Sequence, residues 1–160
     1  MHKRKIYLDT SVISHLTADD TPEKMRDTLK LWEEIKQDKW DVIVSRVALD
    51  EIDECQEPKK TTLLRLLGEI GYDTATETEE TDALVDAYMK FGVLSRKSYD
   101  DCRHIAVATY YNCDIILSWN FKHFVNFRTI TGVQAVNKLL GYKEVLIMPP
   151  PMILEGDDEE

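Results

Sequence analysis

Long apolar runs, frequent glycines and a surplus of basic residues are all missing from this 160-residue chain. No stretch approaches the ~20 apolar residues of a membrane-spanning helix, and the opening "MHKRKIYLD" lacks the apolar core of a signal peptide. Contact with a membrane is therefore not expected. The six glycines form no phosphate-cradling loop pattern. Three cysteines, Cys55, Cys102 and Cys113, are odd in number, widely spaced and set among apolar residues. That usage argues against a disulfide frame or a zinc site and fits reduced, buried thiols in a cytoplasmic protein. Thirty acids stand against twenty Lys and Arg, a net charge of −10. Such a balance speaks against a broad basic face that holds nucleic acid tightly.

What is present is an ordinary globular composition, 43% hydrophobic and 31% charged, in a chain long enough for one proper core. No repeat or linker divides it. A single domain is expected over residues 1–148. The remaining stretch, 149–160, reads as a Pro-rich then acidic tail, "PPPMILEGDDEE", expected to be disordered.

Apolar spacing sets the order of elements. Lys5-Ile6-Tyr7-Leu8 reads as a short buried strand. Helical spacing runs from Pro22 to Gln37 through Met25, Leu29, Trp32 and Ile35. "WDVIVS" (40–45) is a second strand. Helices follow over 47–56 and 61–70, with Pro58 breaking between them. A short strand is expected near 72–76, helices over 81–91 and 100–111, a strand at "DIILS" (114–118), a helix over 131–140 and a strand at "EVLIM" (144–148). Short continuous apolar strands alternating with helices imply a parallel sheet covered on both faces. Ligands in such folds bind beyond the carboxyl ends of the strands.

Asp9 stands at that end of the first strand, and Ser118-Trp119-Asn120 at that end of a later one. A helix-capping role would account for Asp9 alone. The other acids sharpen the choice. On "RVALDEIDECQE", Asp50, Asp53, Glu54 and Glu57 share one solvated row, opposite Ala48, Ile52 and Cys55. Glu51 lies roughly 70° from the apolar centre and turns along the core edge. On "SYDDCRHIAVATYY", Asp101 shares its row with His104, Ile105 and Ala108, whereas Asp100 sits with Arg103 and Val107 and suits a cap. Partly buried carboxylates need partners, and no Lys or Arg occupies a matching position. A divalent metal would offset their repulsion, and an all-oxygen donor set specifies Mg²⁺ or Mn²⁺. A carboxylate cluster at the sheet's carboxyl edge points to metal-assisted phosphoryl chemistry. His104 reads as a packed helix residue, and Trp32, Trp40 and Trp119 as core or rim aromatics.

Four segments, "IYLDTSVIS", "SRVALDEI", "DDCRHIAVAT" and "ILSWNFKHF", resemble in order and spacing the motifs of PIN-domain proteins. The best known of these are the ribonuclease toxins of bacterial VapBC toxin–antitoxin pairs. The match runs from about Lys5 to Phe124. It implies a Rossmann-like α/β/α sandwich with a central, mainly parallel sheet, and metal-dependent cleavage of RNA. It also implies that Asp9, Glu51 and Asp101 bind the metal and that Asn120 takes the fourth catalytic position. An antitoxin partner and a homodimer belong to the same implication. Two features depart from the family pattern: Asn120 stands where many relatives carry Asp, and the surface is acidic. They motivate an alternative, a PIN-fold interaction module with weak or no catalysis. A phosphoacceptor receiver domain ranks third, since "YLDTS" supplies one acid and "ILSWN" ends without lysine.

Overall fold

The computed structural model describes residues 3–155, and within them strands and helices alternate along the chain. Strand β1 (Lys5–Leu8) runs into a short helix α1 (Thr10–Ser14) and a 3-10 turn (His15–Thr17). Helix α2 (Pro22–Lys36) leads to β2 (Asp41–Ser45), then α3 (Arg46–Asp53) and α4 (Lys59–Leu67). Next come β3 (Asp73–Ala75), α5 (Glu79–Lys90), α6 (Tyr99–Tyr110) and β4 (Ile115–Leu117). The described chain closes with α7 (Phe127–Leu139), β5 (Leu146–Met148) and α8 (Pro150–Glu155).

The strands form one sheet in the order β3-β2-β1-β4-β5, and every pairing is parallel. Side chains alternate across it, as the two-residue strand period requires. Ile6, Leu8, Val42, Val44, Ile115 and Leu117 pack toward α1–α4 and α8, whereas Tyr7, Ile43, Ile116 and Ile147 pack toward α5–α7. The result is an α/β/α sandwich with a wholly parallel sheet, the fold class expected from the sequence. Strand order reverses between β1 and β4. That is the switch point where the carboxyl ends of neighbouring strands leave a crevice.

Where the elements differ from the sequence reading, local chemistry gives the reason. Helix α5 starts two residues early because Thr78 and Thr81 form a reciprocal capping box. Helix α7 starts at Phe127 because the Asn126 side chain accepts from the Thr129 N–H. Its first turn is too exposed to show in apolar spacing. The expectation of a disordered tail over 149–160 needs correction. Pro150–Glu155 is helical, and Leu154 is buried against the α2 side of the core. Proline is tolerated in a first helical turn, where its missing N–H has no partner to lose. The acidic stretch 156–160 lies outside the described residues.

Candidate active site

Asp9 follows β1 directly and occupies the N-cap position of α1, with extended backbone (φ −66°, ψ 152°). Its side chain does not cap that helix. Oδ2 instead accepts the Ser11 hydroxyl at 2.7 Å and the Ser118 hydroxyl, from the end of β4, at 2.9 Å. Only 4% of Asp9 is exposed. Two hydroxyl groups thus aim one oxygen of a buried carboxylate while Oδ1 stays 3.7 Å from His104 Nε2. Ser118 also accepts the Asn120 N–H, and Ser11 Oγ accepts the Trp119 N–H. The ends of β1 and β4 are thereby tied together around Asp9.

His104 is the hub. It is buried on α6, and Nε2 lies 2.5 Å from Glu51 Oε1 on α3. On its other edge Nδ1 meets the Tyr7 hydroxyl at 2.5 Å, and that hydroxyl meets Ser45 Oγ at 2.7 Å. Ser45 in turn caps α3 by accepting the Ala48 N–H. Burial opposes charge on the imidazole. The Glu51 hydrogen bond and the charges of Asp9, Glu51 and Asp101 outweigh it and raise the His104 pKa above the usual range. Burial pushes the Tyr7 hydroxyl well above its ordinary value, so it remains protonated.

Asp101 turns inward from α6, its side chain 23% exposed, and its Oδ2 lies 3.1 Å from His123 Nδ1. Burial first, then the charge of Asp9, lifts its pKa to about 6, against the opposing pull of His123 and His104. Asp100 is exposed and pairs with Arg103. Asp50 and Asp53 likewise lie in solvent, paired with Arg46 and Lys60. Asn120 directs Oδ1 to the His123 N–H at 2.9 Å and organises the turn after β4.

Comparison with family models finds no match to this sequence, and comparison with curated proteins finds none either. Solved structures do match. VapC20 of Mycobacterium tuberculosis, described as a toxin cleaving the sarcin–ricin loop, superimposes with a TM-score of 0.55 at 13% identity. The match covers 88% of this chain and 98% of that one. VapBC2 from Rickettsia felis, solved bound to a DNA fragment from its promoter, matches with a TM-score of 0.55 at 10% identity. It covers 91% of this chain and 98% of that one. The chain has the PIN-domain fold.

Within this PIN fold, the four residues singled out in the sequence fall into two linked groups. Asp9 and Glu51 meet through His104, and Asp101 and Asn120 meet through His123. Among the described residues, no three His, Cys, Asp or Glu side chains form a ready-made metal cage. The Glu51 carboxylate is turned onto His104. Hydrated Mg²⁺, however, is commonly held by one or two carboxylates and keeps several waters. Asp9 and Asp101 fit that requirement: both supply oxygen, both are largely buried, and the charge of one disfavours ionisation of the other. Neither has a Lys or Arg partner among the ion pairs of the described residues.

The part played by the histidines was not legible in the sequence. No Lys or Arg stands at the core edge, and the ring nitrogens of His104 and His123 meet the acids instead. The available signal was the row that His104 shares with Asp101 on the buried face of α6. A histidine on such a face, one turn from an inward-facing acid, needs a polar partner.

Proposed function

We propose that this protein is an endoribonuclease dependent on Mg²⁺ or Mn²⁺, acting at the β1/β4 crevice. The observation that carries the proposal is Asp9: a buried carboxylate at the N-cap position that leaves the helix uncapped and is aimed by two hydroxyl groups. Asp9 and Asp101 would hold the ion directly. Glu51, retained by His104, and Asn120, on the turn after β4, would act from its outer shell. Bound there, a divalent ion supplies an acidified water and stabilises charge on phosphate oxygens. The chain's own contribution is positioning. Ser11 and Ser118 fix the Asp9 carboxylate, Tyr7 and Glu51 fix the His104 ring, and His123 steadies Asp101. The raised pKa of Asp101 marks a site that gains by receiving positive charge.

The fold likeness to a toxin that cleaves the sarcin–ricin loop and to a VapBC pair supports an RNA substrate and an antitoxin-type protein partner. A homodimer would cover exposed apolar residues such as Phe91 and Leu139. No described helix is long and apolar enough to cross a membrane, and a cytoplasmic location suits the free cysteines Cys102 and Cys113, both buried.

A second reading, a PIN-fold interaction module with weak or no catalysis, draws support from two contacts. Glu51 is occupied by His104, and Asn120 Oδ1 is occupied by a backbone N–H. The test is cleavage of a mixed single-stranded RNA pool with Mn²⁺, with Mg²⁺, or with EDTA. Metal-dependent cutting that Asp9→Asn abolishes supports the nuclease. Absence of cutting with either ion favours the module.

A further inference from the structure

An acidic protein that cuts RNA must still place a polyanion at its acids, so the position of its bases matters. The loop after β4 carries Lys122 and His123, and the first turn of α7 carries Arg128. Together with Ser95, Ser98 and Asn126 they line an open cavity of about 220 Å³. No acid lines this cavity, although the chain holds thirty. A cavity at the opposite end of the sheet is lined by Asp38, Asp41 and Asp73. Lys122 and Arg128 are also available. Arg128 donates from Nη2 to the Gly92 carbonyl at 2.9 Å, which leaves most of its five donors free of carboxylate. Arg103, by contrast, is saturated by Glu77 and Asp100.

The loop is built to hold its shape. The Asn120 carbonyl accepts the Phe124 and Val125 N–H groups. Asn126 Nδ2 donates to the Lys122 carbonyl at 2.9 Å, and the Thr129 hydroxyl donates to the His123 carbonyl at 2.8 Å. Lys122 and His123 are thus presented on a backbone ordered before any ligand arrives, which lowers the entropic cost of binding. The cavity also shares a wall with the acids. His123 lines it, bonds to Ser98 Oγ, and lies 3.1 Å from Asp101 Oδ2.

We propose that this cavity is a phosphate subsite for the RNA strand, holding a backbone phosphate next to the one at the acids. Lys122 supplies a point charge and Arg128 a planar fork, the two geometries that suit phosphate oxygens. The assignment rests on the ribonuclease reading and adds the path of the substrate: the strand runs from the β1/β4 crevice past His123 toward the start of α7. An acidic peptide could satisfy the same charges, but the wall shared with Asp101 favours the polymer whose phosphates must reach the acids.

The test is binding of a fluorescein-labelled single-stranded RNA in EDTA, in an Asp9→Asn background so that nothing is cut, between 50 and 200 mM salt. Lys122→Gln together with Arg128→Gln should weaken binding roughly tenfold and flatten the log Kd against log salt slope by about 0.7 per lost phosphate contact. Lys59→Gln, which removes one charge from α4, should leave the slope unchanged. RNA bound equally by the double variant, while the wild type cuts RNA with Mn²⁺, would overturn the subsite and leave the nuclease reading standing. Failure of the wild type both to bind and to cut RNA would overturn both. Retention of a poly-glutamate peptide by the wild type, lost in the double variant with RNA binding intact, would reassign the cavity to a protein partner.

Discussion

Replacing Asp101 by Asn should make the metal-free protein more stable, and only above a definable pH. Burial and the Asp9 charge raise the Asp101 pKa from 3.8 to about 6, so ionising it in the fold costs free energy. At about 1.4 kcal/mol per pH unit the cost is about 3 kcal/mol. Solvent reaching the side chain, 23% exposed, screens this to about 1–2 kcal/mol. For a carboxyl group whose folded pKa is raised, the folded state binds more protons than the unfolded state. Stability therefore falls as pH rises from about 4 to about 6. Asp101→Asn removes that loss. Its amide can meet the His123 ring as donor or acceptor, and its volume is nearly unchanged. Urea unfolding in EDTA should show no gain near pH 4 and about 1–2 kcal/mol of gain at pH 7.5. A destabilised variant at pH 7.5, or a gain of equal size at both pH values, would refute the electrostatic account.

Asn120→Asp should keep the fold, because a carboxylate oxygen can accept the His123 N–H as the amide does. It adds a negative charge at the turn that carries His123, so thermal stabilisation by millimolar Mn²⁺ should grow relative to wild type, measured by differential scanning fluorimetry. RNA cleavage should stay level or rise. Leu154→Ala should cost about 2–4 kcal/mol in urea unfolding, since the side chain is buried in the core. A cost below about 0.5 kcal/mol would mean that α8 is not part of that core.

Elements with strong apolar spacing were legible from sequence, and the order of alternation was enough to imply a parallel sheet. Strands as short as β4 and β5, three residues each, were still visible because turn residues bound them. Helix starts were less legible, since Thr78 and Asn126 act through hydrogen bonds that carry no apolar signature. Helix α8 was hidden by its prolines. At the site, the 100° spacing separated inward Asp101 from solvated Asp100, and Glu51 from the acidic row around it. That Glu51 pairs with His104 could not be read from spacing, because the contact joins residues 53 apart on different helices. In sequence Lys122, His123 and Arg128 could contact phosphates or be ordinary surface bases, and only the folded loop sets them on one wall with no acid between.

The metal is the centre of the account, and the most direct test is a crystal soaked in Mn²⁺ with anomalous scattering recorded at the manganese edge. The expected result is one strong peak in the β1/β4 crevice, about 2.1 Å from a carboxylate oxygen of Asp9 and of Asp101. Glu51 and Asn120 should reach it through water. A fully loaded crystal with no peak at Asp9, or with manganese bound only on the acidic surface, would contradict the account.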